Sequence, residues 1–92
     1  MGYWEWFHEN GNLQSKGSYV NGLREGIWED YYSDGNIRIK GLYKDGNRDG
    51  MWEFYYRNGK IWKKGSYVNG LVDGIWEFYY PNGELDYKID YY

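Results

Sequence analysis

The chain contains no cysteine, no alanine and no threonine, one proline and one histidine. Without Cys there is no disulfide framework, no thiolate zinc site and no thiol nucleophile. The lone histidine, His8, leaves no Ser/His/Asp set to assemble. No uninterrupted apolar run reaches membrane-spanning length, and the start MGYWEWFHEN lacks the basic opening and apolar core of a signal peptide. A cytoplasmic location is therefore expected. The net charge of −3 comes from interspersed signs with no basic patch, which argues against a nucleic-acid partner. Ninety-two residues make one domain, 1–92.

What the chain has in quantity is rings and glycine: 24% of its residues are aromatic, and 14 are Gly. Leu, Val and Ile are scarce, so aromatic rings must supply most of the burial. These residues recur with a period of 24, as Trp4, Trp28, Trp52 and Trp76 form one column, followed by Glu5, Glu29, Glu53 and Glu77. Lys16/Lys40/Lys64/Lys88 and Tyr19/Tyr43/Tyr67/Tyr91 hold the same period, while the column Gly17/Gly41/Gly65 is broken by Ile89. The chain is four copies of one unit, at about 2–25, 26–49, 50–73 and 74–92. A fixed period of this size marks a repeat architecture, whose units bury apolar surface only against their neighbours.

At alternating spacings of 11 and 13, Asn-Gly or Asp-Gly begins at residues 10, 21, 34, 45, 58, 69 and 82. Between alternating apolar runs these dipeptides are the strongest short-range hairpin signal. Seven turns predict eight antiparallel strands at roughly 3–8, 13–19, 27–32, 37–43, 51–56, 61–67, 75–80 and 85–91, with no helix. The predicted fold is all-β: a single elongated, twisted meander of four β-hairpins.

A two-residue loop at Asp34-Gly35 would set Trp28 opposite Gly41, Glu29 opposite Lys40, Tyr32 opposite Ile37 and Gly26 opposite Tyr43. The next repeat gives Trp52–Gly65, Glu53–Lys64, Tyr56–Ile61 and Gly50–Tyr67. Rings over opposed glycines restore packing, and opposite charges meet across strands. Pro81 favours a three-residue loop with a Gly bulge in the last hairpin; the even register is expected in the others. The inner face should then carry the Trp column, Tyr32/Tyr56/Tyr80, Leu13/Ile37/Ile61/Leu85 and the glycines, with Trp52 buried against Gly65. The other face should carry the Glu–Lys ladder and the row Phe7, Tyr31, Tyr55 and Tyr79, with Trp62 opposite Tyr55.

The run Gly17-Ser-Tyr19-Val-Asn21-Gly22-Leu-Arg-Glu-Gly26, repeated at 41–50 and 65–74, resembles the MORN repeat. The W-E-x-[FY]-Y-x-[ND]-G segment that follows is similar to the repeat's bacterial variant. The resemblance implies protein interaction or membrane-lipid association, as in modules found beside lipid kinase domains, and for the bacterial variant an antitoxin-like role. A kinase name would be inherited only, because the chain has no G-x-x-x-x-G-K-[ST], H-R-D or D-F-G motif.

No other motif carries chemistry. Asp45-Gly-Asn47-Arg-Asp49-Gly50 matches the first half of a calcium loop, but Tyr56 stands where the bidentate Glu belongs. The better reading is turn residues. His8 shares a column with Tyr and reads as a strand-end ring, and each Glu has a Lys opposite, as in a solvated charge ladder. No enzyme activity, cofactor or metal is therefore expected. The expected function is a scaffold binding a protein partner through Phe7, Tyr31, Tyr55, Tyr79 and Trp62, since exposed rings beside charges suit binding hot spots. The alternative is a membrane-lipid or phosphoinositide-associated accessory module. Unpaired outer strands would also invite edge-to-edge self-association.

Overall fold

A computed structural model describes residues 2–91. The eight strands are β1 (Gly2–Phe7), β2 (Leu13–Val20), β3 (Leu23–Tyr31), β4 (Ile37–Lys44), β5 (Asn47–Tyr55), β6 (Ile61–Val68), β7 (Leu71–Tyr79) and β8 (Leu85–Tyr91). They form one antiparallel sheet in sequential order, β1 to β8, measuring 38 × 32 × 13 Å. The meander is as the turn dipeptides predict.

The dipeptides build two kinds of turn. Asn21-Gly22, Asp45-Gly46 and Asn69-Gly70 have positive φ at both residues (53/79°, 51/84° and 50/84°), the signature of two-residue type I′ loops. The turns inside the repeats are longer. Gly11 N–H donates to the His8 carbonyl (3.0 Å) and His8 N–H to the Asn12 carbonyl (2.8 Å), with only the Gly at positive φ. Tyr32–Asn36, Tyr56–Lys60 and Tyr80–Glu84 repeat that geometry. The preceding Asn or Asp stabilises each loop by accepting the N–H two residues on, at 2.9–3.0 Å. Three-residue loops thus occur in all four hairpins, and not only beside Pro81.

A second irregularity restores the even register. Between Asp30 and Tyr31 and at its three equivalents the pairing shifts, leaving Gln14, Arg38, Trp62 or Asp86 as the extra residue. Trp28–Gly41, Glu29–Lys40, Gly26–Tyr43, Trp52–Gly65, Glu53–Lys64 and Gly50–Tyr67 are therefore paired as expected. The strand ends are not. Ile37 and Ile61 oppose Tyr31 and Tyr55 instead of Tyr32 and Tyr56, and Ile39 replaces Ile37 against the core. The odd strands also begin earlier than expected, because Gly26, Gly50 and Gly74 sit at positive φ within them and absorb a bulge opposite Gly17, Gly41 and Gly65.

The core lies on one face: Trp28, Tyr43, Trp52, Phe54 and Trp76, with Tyr19, Ile39, Tyr67, Phe78 and Tyr91 packed around it. Each indole reaches across to the preceding repeat and covers its glycine, so a Cβ on Gly17, Gly41 or Gly65 would stand only 2.0–2.2 Å from the ring of Trp28, Trp52 or Trp76. The indole N–H then donates to the next backbone carbonyl, Ser18, Leu42 or Ser66, at 3.0–3.1 Å. Trp52 is buried to 2% exposure as expected, yet its ring covers Gly41, and Gly65 lies beneath Trp76.

Candidate interaction surface

A single-layer sheet presents two faces, and the residues dress them differently. On the inner face Trp and Tyr alternate edge to face: Trp28–Tyr43 5.9 Å, Tyr43–Trp52 5.1 Å, Trp52–Tyr67 6.0 Å and Tyr67–Trp76 5.2 Å between centroids. Arginines close over them. The Arg24 guanidinium lies 4.5 Å from the Trp28 ring and donates to the Tyr43 hydroxyl at 2.9 Å. Arg48 repeats this over Trp52 at 4.6 Å, donating to Tyr67 at 3.2 Å.

The sequence reading missed a second inner column: Trp6, Asp30, Phe54 and Phe78 stand two residues after each repeat's Trp, hence on the same face. Trp6 stacks on Trp28 at 5.6 Å, and Phe54 approaches Trp76 at 6.2 Å. Asp30 puts a carboxylate where the others put a ring. Burial raises its pKa, while Arg24, Arg38 and Arg48 pull it back. A cavity of about 40 Å³ remains there, among Arg24, Asp30, Ile39, Arg48 and the rings of Trp28, Tyr43 and Trp52.

On the outer face Glu and Lys stand opposite each other in the expected register, but among the described residues only Glu29 and Glu77 of the Glu column form ion pairs, and Lys64 turns to Glu77 instead of Glu53. Glu29 takes Lys16 at 3.3 Å and Lys40 at 3.9 Å; Glu77 takes Lys64 at 3.8 Å and Lys88 at 3.6 Å. Tyr31, Tyr55 and Tyr79 stand beside it, half-buried, each hydroxyl donating to Glu29, Glu53 or Glu77 at 3.0–3.1 Å. Burial, then the Glu53 bond, pushes the Tyr55 pKa up to about 12.

Of the five residues expected to form one site, four share this face. Phe7 is exposed at the row's β1 end, in the column of the three tyrosines. Trp62 is not with them. It is the extra residue of the β5–β6 pairing, Ile61 takes its place opposite Tyr55, and its ring packs on Phe54 and Tyr56 at 6.2 and 6.3 Å. The bulge reverses its facing, so Trp62 belongs to the inner face.

The outer face also carries a row the sequence reading passed over: Tyr3, Ile27, Met51 and Ile75, each just before its repeat's Trp. Ile27, Met51 and Ile75 are 57, 58 and 54% exposed. Their signal lies in the sequence, where the x of G-x-W is apolar or aromatic in every repeat. His8 does occupy the tyrosine position. Its Nε2 lies 3.0 Å from the Tyr31 carbonyl, just as the Tyr32 and Tyr56 hydroxyls donate to the Tyr55 and Tyr79 carbonyls at 2.6 Å. Asp45 and Gly46 are turn residues, and the rest of the calcium-like segment lies in β5. Among the described residues no three His, Cys, Asp or Glu side chains gather as a metal site, and no helix is long and apolar enough to cross a membrane.

A search of curated proteins finds no match to the chain. The family profile described as MORN repeat variant matches at residues 2–21, 24–45, 48–69 and 72–92, in step with the four hairpins. With its repeats matched along nearly the whole length, the chain belongs to the MORN repeat variant family.

Proposed function

We propose that this protein is a non-catalytic scaffold that binds a protein partner on its outer face. MORN repeats are in general interaction and scaffold modules. The observation that carries the reading is the exposed row Tyr3, Ile27, Met51 and Ile75, which crosses the odd strands at intervals of about 9.6 Å. The glutamate–lysine ladder separates it from the row Phe7, Tyr31, Tyr55 and Tyr79. Two apolar rows flanking a line of fixed charges match a protein surface with apolar ridges and polar groups between them. Antitoxin-like neutralisation, which the resemblance to the bacterial variant implies, is one form such contact would take. The lipid-associated alternative draws less support, because Lys16, Lys40, Lys64 and Lys88 are all engaged with Glu29 or Glu77.

The test is a side-by-side capture from the source cell with wild type, Met51→Glu, Ile27→Glu and the inner-face control Trp62→Ala. A partner retained by wild type and Trp62→Ala but bound about 5–100-fold more weakly by Met51→Glu supports the reading. A partner equally retained by Met51→Glu and Ile27→Glu, or salt-sensitive binding to anionic vesicles with no protein captured, refutes it.

A further inference from the structure

At all three junctions between repeats the Trp of the odd strand lies on the glycine of the strand before it, and at two of them a Lys–Glu pair joins the contact. Trp28 lies on Gly17 and donates to the Ser18 carbonyl, while Lys16 reaches Glu29. Trp76 lies on Gly65 and donates to Ser66, while Lys64 reaches Glu77. A glycine at positive φ two residues before the Trp shapes each odd strand for this contact: Gly26 (77°), Gly50 (69°) and Gly74 (69°).

The first strand carries the same Gly, Trp and Glu on an outer edge that pairs with no strand among the described residues. Gly2 has φ 102°, two residues later comes Trp4, and Glu5 follows. Trp4 is 51% exposed, at an open groove of about 370 Å³ that it lines with Trp6, Tyr19 and Gly22. The last strand carries the converse. Where the other even strands have Lys-Gly, β8 has Lys88-Ile89. A Cβ at this position would occupy the space an incoming indole needs, as it would at Gly17, Gly41 and Gly65, and Ile adds a branched side chain to that obstruction.

We propose that the outer edge of β1 is an acceptor site for an extended strand containing a Lys-Gly pair, and that Ile89 bars the protein's own β8 from filling it. The glycine lies under the Trp4 ring, the following carbonyl accepts the Trp4 indole N–H, and the preceding lysine pairs with Glu5. The occupant is thus defined chemically: an extended segment with no side chain at one position and a cation just before it. Strand addition at a sheet edge supplies the backbone hydrogen bonds. The site is separate from the outer face, and either reading can fail without the other.

Two measurements test it. A labelled peptide copying residues 13–20, LQSKGSYV, is titrated with the protein and followed by anisotropy, alongside the peptide with isoleucine in place of its glycine. The glycine peptide should bind at least about tenfold more tightly, and Trp4→Ala, checked as folded by circular dichroism, should abolish the difference. Equal binding of the two peptides, or no binding of the glycine peptide, overturns the acceptor site. In the second, Ile89→Gly should form head-to-tail chains that grow with concentration in sedimentation, and Ile89→Gly/Trp4→Ala should not. An Ile89→Gly variant that sediments like the parent overturns the block.

Discussion

Trp4 and Trp52 hold the same place in their repeats, followed by the same Glu, yet one is 51% exposed and the other 2%. The difference is the strand on the far side. Trp52 lies on Gly41 of the previous repeat, under Arg48 and between Tyr43 and Tyr67. Trp4 stacks on Trp6 at 6.3 Å, and among the described residues no other ring pairs with it. Burial in this protein is thus a property of junctions between repeats, and no repeat supplies it alone.

The sharpest way to break that contrast is to fill a ring seat. Gly41→Val or Gly65→Val should evict Trp52 or Trp76 and destabilise by about 3–5 kcal/mol in urea unfolding, near the cost of deleting the ring. Ile89→Val, on the outer strand, should change stability by less than about 0.5 kcal/mol. Parent-like stability of Gly41→Val would mean that the rings do not need these seats.

Truncating the rings gives the same test from the other side. Trp52→Ala should cost about 3–5 kcal/mol and Trp4→Ala less than about 1 kcal/mol, by the same measurement. Equal losses would show that Trp4 is buried in solution, by self-association or by a strand on the β1 edge.

The Trp–Gly opposition was legible in the sequence at a period of 24, although each ring sits on the glycine of the preceding repeat and not on the one the register sets opposite it. Loop length was not. Asn-Gly and Asp-Gly fit a type I′ turn and also the end of a three-residue loop, and the backbone dihedrals and hydrogen bonds distinguish them. That ambiguity carried into the site, since the compensating bulge reverses the facing of Trp62 while leaving Tyr31, Tyr55 and Tyr79 in place. The ring column of Trp6, Phe54 and Phe78 was hidden because Asp30 interrupts it.

Smaller effects refine the contrast between inner and outer repeats. Tyr56→Phe removes the 2.6 Å bond to the Tyr79 carbonyl and should cost about 1 kcal/mol. Tyr80→Phe, in the last repeat and exposed, should cost less than about 0.5 kcal/mol. Denaturant midpoints of the two variants check the difference.

The last effect is a loss of stability confined to alkaline pH. Folding raises the Tyr55 pKa from 10.0 to about 12, and burial with the Glu29 and Glu77 bonds raises Tyr31 and Tyr79 in the same direction. A raised pKa stabilises the fold fully below the unfolded value and withdraws that stability as pH climbs through the folded value. Stability should therefore fall between about pH 10 and pH 12, and Tyr55→Phe should fall less steeply. Superimposable alkaline profiles would mean that the Tyr55 hydroxyl is open to water.

The alternating inner rings also make the sheet its own optical instrument. Chromophores fixed edge to face at 5.1 Å for Tyr43–Trp52 and 5.2 Å for Tyr67–Trp76 couple their electronic transitions and pass excitation from tyrosine to tryptophan. Near-ultraviolet dichroism and quenched tyrosine emission therefore report each junction as it forms or opens, without any added label.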